Sequence, residues 1–280
     1  MTLIKLGLIG DNIRSSSAPT LHRMAAAQWG MDRSYDLIVP PDHGMDFAAA
    51  LAFARDSGMR GVNVTLPYKE TAFHQVAVAD PALRQLGAVN TLCFDAAGLT
   101  GANTDFTGFL KSYRAARGDV PAGRVLLVGA GGVGRSIGFA LSQLGASQLL
   151  ICDKNQQAAE NLSAEINQLV PNLAESVTVT APLPVDAVVN CTPAGMVGYG
   201  GLPLPAPLIP QRFVWAFDAV YQPVETPFKQ LAESRGVAVI SGFELFFHQG
   251  VDAFLIFTGK PVKDAPALRA ALRDLVHKTG

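Results

Sequence analysis

The stretch from Val125 to Asp153 constrains this chain more than any other. An apolar run, Val125-Leu126-Leu127-Val128, passes into Gly129-Ala130-Gly131-Gly132-Val133-Gly134; an amphipathic segment follows, and Leu149-Leu150-Ile151-Cys152-Asp153 closes the unit. The pattern reads as strand, tight turn, helix, strand, with a carboxylate at the tip of the second strand. Each glycine has a mechanical purpose: Gly129 permits the turn, Gly131 lets the backbone approach a pyrophosphate, and Gly134 lets the helix pack closely on the strand. The free N–H groups at the helix start then face phosphate, where the helix dipole favours negative charge. Asp153 stands nineteen residues beyond Gly134, the distance at which a carboxylate meets the hydroxyls of an adenosine ribose. A glycine pattern alone is common in strand-to-helix turns, but here both strands, the helix and the acid fall where a dinucleotide requires them. The carboxylate suits free ribose hydroxyls and repels a 2′-phosphate, which favours NAD over NADP. Lys154, next in the chain, is basic and weakens that preference.

At 280 residues and 49% hydrophobic content, the chain can bury two ordinary cores, and two domains are expected. Charge is balanced, 22 basic against 23 acidic residues, with no basic run. Neither a nucleic acid nor an anionic membrane surface is therefore an expected partner. Cys93, Cys152 and Cys191 are scattered, with neither metal-site spacing nor the even count of a disulfide framework. Met1-Thr2-Leu3-Ile4-Lys5 enters a strand-like run without the features of a leader, and no apolar run approaches a membrane span. The reading is a soluble, cytoplasmic protein.

Strand and helix signals alternate along the first part: strands at Leu3–Ile9, Tyr35–Val39 and Gly61–Thr65, helices at Ala18–Trp29 and Met45–Arg55. Alternation of this kind implies parallel pairing in an α/β domain. Val89–Phe94 and Leu99–Gly101, joined around Asp95-Ala96-Ala97-Gly98, read as a hairpin closing it. A helix from about Phe106 to Arg117 leads to the turn cluster Gly118–Gly123, read as a domain boundary. Beyond the glycine turn come a helix at Gln156–Leu169 and strands near Val177–Thr180, Asp186–Asn190 and Phe213–Phe217, with a proline- and glycine-rich loop from Thr192 to Pro210. A loop at a strand's carboxyl end is where an open α/β sheet meets its ligand. Helices at Phe243–Phe257 and Ala265–His277 finish the chain. The second sheet is complete by about Ile240, so these helices are expected to return to the first domain.

Four more clusters put polar residues at strand ends. In Asn63-Val64-Thr65-Leu66-Pro67-Tyr68-Lys69 a lysine follows a strand and a proline-stiffened turn, a place where it can serve proton transfer, although single lysines are mostly solvated. Gly87-Ala88-Val89-Asn90-Thr91 offers an amide with both donor and acceptor. Gly101-Ala102-Asn103-Thr104-Asp105 offers a carboxylate to pair with Lys69, or simple caps for the helix that begins there. Asp218-Ala219-Val220-Tyr221-Gln222-Pro223 ends a strand with a tyrosine. His22, His74 and His248 lack ligand spacing, so no metal site is expected. The stripe Phe243, Phe246, Phe247, Phe254 and Phe257 reads as core.

Taken in order, these clusters resemble the shikimate/quinate dehydrogenase family over essentially the whole chain. They are joined by the serine-rich turn before Pro19 and His22, by Gly129–Arg135, by Asn190-Cys191-Thr192-Pro193, and by Gly242–Gln249. The resemblance implies an N-terminal α/β substrate domain (1–105), a Rossmann-type doubly wound parallel sheet (106–240) and C-terminal helices (241–280) returning to the first domain. It implies a monomeric or homodimeric oxidoreductase moving a hydride between a nicotinamide cofactor and a ring hydroxyl of quinate or shikimate. Lys69 would be the catalytic base in oxidation and acid in reduction, held and tuned by Asp105. Thr65, Asn90, Asp105 and Gln249 would bond ring hydroxyls, and Tyr221 with the serine turn, Ser16 and Ala18, the carboxylate. Gly129, Ala130, Gly131, Gly132, Val133, Gly134, Asp153 and Lys154 would take the dinucleotide, with Thr192, Val220 and Gly242 at the nicotinamide.

Two positions depart from the family pattern. Its second hydroxyl before the proline falls here on Ala18, which means weaker shikimate binding, substitution by Ser15 or Ser17, or a pocket that accepts quinate. Asp153-Lys154 replaces the basic residue usual in NADP users and points to NAD and the catabolic side of the family. A member acting on another cyclic hydroxy or amino-hydroxy acid, or an NAD-binding sensor without catalysis, are the alternatives.

Overall fold

The computed structural model describes residues 4–78, 81–96 and 98–279, with the backbone alone at 81–83 and 277–279. Leu3 in the first expected strand, Ala97 in the hairpin turn and the Met1-Thr2-Leu3 start lie outside the described residues. The chain divides into two compact units. One holds the chain up to Thr104 together with Phe247–Leu275, the other Asp105–Phe246 and the residues from Val276.

The chain up to Thr104 runs β1 (Ile4–Ile9), α1 (Ala18–Ala27), β2 (Arg33–Ile38), α2 (Phe47–Asp56), β3 (Gly61–Val64), α3 (Lys69–Phe73), α4 (Pro81–Leu86), β4 (Thr91–Asp95) and β5 (Gly98–Ala102). The sheet order is β2-β1-β3-β4-β5. The first three strands pair in parallel and the last two antiparallel, as the crossover helices and the short hairpin demand. Asp46 starts α2 by accepting from Ala49 N at 2.8 Å.

Next come α5 (Thr104–Arg117), β6 (Gly123–Val128), α6 (Gly132–Gln143), β7 (Ala146–Cys152), α7 (Gln156–Leu169), β8 (Ala174–Ser176), β9 (Ala187–Asn190), β10 (Trp215–Asp218), α8 (Pro227–Ser234) and β11 (Ala238–Ser241). All six strands are parallel, in the order β11-β10-β9-β6-β7-β8. This is a doubly wound sheet whose order reverses between β6 and β9, the place where such sheets bind ligands. Both central strands bury nearly every residue, which explains why they read as unbroken Val/Leu runs. The chain ends with α9 (Gly242–Thr258) and α10 (Ala265–Thr279).

Two expectations need correction. The strand placed near Val177–Thr180 lies earlier, at β8, because the ladder runs out when Ile151 pairs with Ser176, one residue before β7 ends. Val177 and Val179, whose alternation suggested a strand, pack on the core from irregular chain. The turn Gly118–Gly123 lies within the second unit. There α5 is bound to β10: Phe109 meets Phe217 edge-on at 4.9 Å and Tyr113 meets Trp215 at 5.1 Å. The Tyr113 hydroxyl donates to Val120 O at 2.8 Å, and Trp215 Nε1 to Ala122 O at 3.1 Å. From Phe247 onward α9 belongs to the first unit. Its Phe257 ring covers Gly61, where a Cβ would come within 2.6 Å of the ring. Among the described residues no helix is long and apolar enough to cross a membrane.

Candidate functional site

In the first unit the polar residues gather around the end of β3 and the start of β4. Lys69 opens α3 and is 6% exposed. The turn before it is pinned from several sides: Asp11 N donates to Leu66 O at 3.1 Å, and Tyr68 N to Thr65 O at 2.9 Å. The Tyr68 hydroxyl donates to Asp11 Oδ1 at 2.6 Å, with its ring stacked on Phe47 at 5.3 Å. Val89 N in turn donates to Lys69 O at 3.1 Å. These bonds fix the backbone from which the buried Lys69 side chain starts. Thr65 is half-buried beside Gly10, whose Cβ, were there one, would lie 2.4 Å from the threonine methyl. Ser16 Oγ accepts from Ala18 N at 3.2 Å. Ala18 is buried at the first position of α1, and Ser15 is exposed.

Asn90 is defined more closely by the structure than by the sequence. Its Oδ1 lies within hydrogen-bond distance of Thr104 N (2.7 Å), Thr104 Oγ1 (3.1 Å) and Thr91 Oγ1 (3.1 Å). An amide oxygen has two lone pairs, so this acceptor is saturated. Among the described residues nothing accepts from Asn90 Nδ2. The expected donor-and-acceptor amide therefore presents donors only. Thr104 Oγ1 also reaches Gln249 Oε1 at 3.4 Å, which draws Gln249 of α9 into the same group. Asn63, Thr91 and Thr104 stand in the polar clusters of the sequence without a role of their own, and in the structure each is a nearly inaccessible member of this network. Their signal was present: an asparagine inside the four-residue strand Gly61-Val62-Asn63-Val64 is a buried polar group that must be bonded.

Asp105 lies in the first turn of α5 at 7% exposure, and Asn103 just before it donates to Ala88 O at 2.9 Å. His22, whose spacing gave no ligand site, is a core residue. Its ring stacks on Tyr35 at 4.7 Å and lies against Phe254 and Phe257. Burial pushes its pKa down to about 3, partly offset by a hydrogen bond with Asn63. Among the described residues no cluster of His, Cys, Asp or Glu is arranged to hold a metal ion. Cys93 and Cys152 are buried free thiols, and burial, then the neighbouring Asp153 charge, pushes Cys152 up to about 11.

In the second unit the glycine turn has the geometry a dinucleotide needs. Gly129 adopts φ +99°, closed to other residues. A Cβ on Gly134 would lie 1.8 Å from Gly129 O, so helix and turn touch only because it has none. A Cβ on Gly131 would meet nothing within 4 Å, which leaves the start of α6, with Gly132 and Val133, open to an anion. Asp153 Oδ2 accepts from Ala130 N at 2.7 Å and Oδ1 from Asn155 N at 2.8 Å. The carboxylate thus braces the turn and keeps one lone pair on each oxygen for a ribose; Lys154 is exposed. These residues fit a dinucleotide.

A second buried network, not foreseen as such, lies at the switch point. Asn190 Oδ1 accepts from Thr192 N (2.9 Å) and Oγ1 (2.7 Å), and its Nδ2 donates to Asp218 Oδ1 at 2.9 Å. Asp218 also accepts from Val220 N at 3.1 Å and from Thr226 Oγ1. Burial pushes its pKa up to about 6 against these three bonds. The ends of β9 and β10, and the start of α8, are tied together through one carboxylate. Gly242 lies against them, since a Cβ there would be 2.5 Å from Ala219 O. Tyr221 stacks face to face on Phe246 at 4.6 Å.

Comparison with known proteins places these features in context. Residues 8–92 match the family described as "Shikimate dehydrogenase substrate binding domain". The chain is 38% identical over 274 residues to a shikimate dehydrogenase (NADP(+)) of Acidiphilium cryptum, covering 96% of each. It is 33% identical to a quinate/shikimate dehydrogenase (NAD(+)) of Corynebacterium efficiens, covering 97% of this chain and 98% of that one. Among solved structures, quinate dehydrogenase from Corynebacterium glutamicum in complex with NAD superposes with a TM-score of 0.88 at 31% identity, covering 98% of this chain and 99% of that one.

Proposed function

The chain belongs to the shikimate/quinate dehydrogenase family, and from that premise we propose that it is an NAD-preferring dehydrogenase of quinate or shikimate. The observation that carries the reading is the donor-only amide of Asn90, held in a buried polar network in the same unit as the anchored Lys69. Such an amide suits a ring oxygen, whose lone pairs accept while its proton goes elsewhere.

When bound, the dinucleotide supplies a hydride acceptor for oxidation and a donor for reduction. Lys69 takes the proton of the ring hydroxyl in oxidation and returns it in reduction. Thr65, Asn90 and Gln249 orient the ring hydroxyls, and Ser16 receives the carboxylate. The amino end of α6 takes the pyrophosphate, Asp153 the adenosine ribose, and Thr192, Val220 and Gly242 the nicotinamide side. A 2′-phosphate would meet the Asp153 charge, which supports NAD.

Initial rates at the nicotinamide absorbance band, with quinate and shikimate each tested against NAD and NADP, decide the matter. Faster turnover with NAD supports the reading of Asp153, and faster turnover with NADP overturns it. Silence in all four combinations, with NAD still bound, sinks the substrate assignment. Ala18→Ser tests the missing hydroxyl: improved shikimate affinity supports a specificity change at this position, and no change counts against it.

A further inference from the structure

Asn63 sits between two rows of partners. The Tyr35 hydroxyl donates to its Oδ1 at 2.8 Å, and its Nδ2 reaches Asn90 O at 3.2 Å and Thr91 Oγ1 at 3.0 Å. This orientation is forced, because the Asn90 carbonyl can only accept, so Nδ2 must face it and Oδ1 must face Tyr35. Thr91 Oγ1, receiving from Asn63, is left to donate toward Asn90 Oδ1 or Thr104 Oγ1. The row Tyr35, Asn63, Thr91, Asn90 thus has a direction set at its far end. Tyr35 is itself fixed by the stacked His22 ring, which α9 backs with Phe254 and Phe257. None of these groups except Asn90 has a part in the chemistry above.

We infer that Tyr35 is a positioning residue for the ring acid, its hydroxyl fixing Asn63 and, through Thr91, holding Asn90 with its NH2 toward the ligand. The inference rests on the dehydrogenase reading. Tyr35→Phe keeps the ring and its stack on His22 and removes one donor. It takes the Tyr35 donor away from Asn63 Oδ1 and leaves the buried His22 ring as that oxygen's other partner, so the amide at the head of the row is held less firmly. KM for the ring acid rises by about tenfold, the range of one lost neutral hydrogen bond, while kcat stays within about twofold and the cofactor KM is unchanged.

A double-mutant cycle separates this from mere structural support. In an Asn90→Ala background, Tyr35→Phe adds no further rise in KM, because the group it positions is gone. Three outcomes overturn the inference: an unchanged KM in Tyr35→Phe, even with a lowered Tm; additive effects of the two substitutions; or equal damage to the cofactor KM. Silence of the unsubstituted protein with both quinate and shikimate removes the functional reading and the inference with it. Turnover with an unmoved KM removes the inference alone.

Discussion

At the scale of single residues, Lys69 and His22 show opposite uses of burial. On the proposed function Lys69 is the general acid–base group, so Lys69→Ala lowers kcat by at least about 10²-fold, the range of one such group, while the dissociation constant for NAD stays within about twofold. Turnover unchanged in stopped assays with this variant would remove the lysine from the mechanism. His22 is buried for packing and stays neutral until about pH 3, against 6.5 for the free side chain. Between those values the unfolded chain holds the extra proton, so stability rises with pH and is lost as pH falls from 6.5 toward 3. At 1.36 kcal/mol per unit the whole effect is on the order of 5 kcal/mol. Asp218 runs the other way: its carboxyl is raised from 3.8 to about 6, the folded state holds the proton in that window, and stability falls as pH rises through it. Over pH 4 to 7 the two opposed slopes largely cancel in the parent, so urea unfolding should show stability rising toward acid in His22→Phe, where Asp218 acts alone, and a loss toward acid in Asp218→Asn, where His22 acts alone. Matching profiles in all three proteins would refute both assignments.

At the scale of elements, the glycine turn allows a sharper test because two of its glycines are needed for different reasons. In Gly134→Ala the new methyl would fall 1.8 Å from Gly129 O, so α6 must shift. The expected result is a loss of more than about 2 kcal/mol of stability together with weaker NAD binding. In Gly131→Ala the backbone (φ −73°, ψ −172°) suits any residue and the methyl meets no protein atom. Tm should stay unchanged, while NAD affinity falls because the methyl stands where the pyrophosphate approaches. Equal NAD affinity in Gly131→Ala and the parent, by fluorescence titration, would mean that the phosphates lie elsewhere. This turn was legible in sequence because its geometry is local: a positive φ, a close helix and an acid at fixed spacing leave a pattern in one segment. The strands were legible for a similar reason, as apolar runs buried on both faces. The network around Asn90 was not, since its members come from β2, β3, β4, α5 and α9 and meet only through the fold. Asn90 was found by its place at a strand end; that its oxygen was already spoken for depends on Thr104, fourteen residues on. The extent of β8 was misplaced because Val177-Thr178-Val179-Thr180 has strand alternation but no partner left to pair with.

At the scale of the whole molecule, the order of segments makes a prediction about independence. The second unit is one continuous segment, Asp105–Phe246, plus the last residues of the chain. Its core, with Leu126, Val128, Leu150, Val188, Ala216 and Phe228 at its centre, is drawn from within that segment. The first unit is different, because its sheet comes from the first 104 residues and much of its cover from Phe247–Leu275. Phe257 lies over Gly61, and Gly250 leaves room for Leu21. Trp29 donates to Pro261 O at 2.8 Å and lies under the ammonium groups of Lys260 and Lys263 at 4.6 and 4.1 Å. Gln28 exchanges two hydrogen bonds with the Asp264 backbone, at 3.0 and 2.9 Å. A chain of residues 1–104 alone would leave the face with Gly61, Leu21 and Tyr35 uncovered, an apolar surface too large for a small domain to tolerate. Expressed separately, residues 105–246 should unfold cooperatively in urea and bind NAD, whereas residues 1–104 should show no cooperative transition. Supplying residues 247–280 in trans, or fusing them through a flexible linker, should restore one. A cooperative transition in 1–104 by itself would mean that the returning helices decorate a sheet able to hold its fold without them, and that the C-terminal segment is present for the site alone.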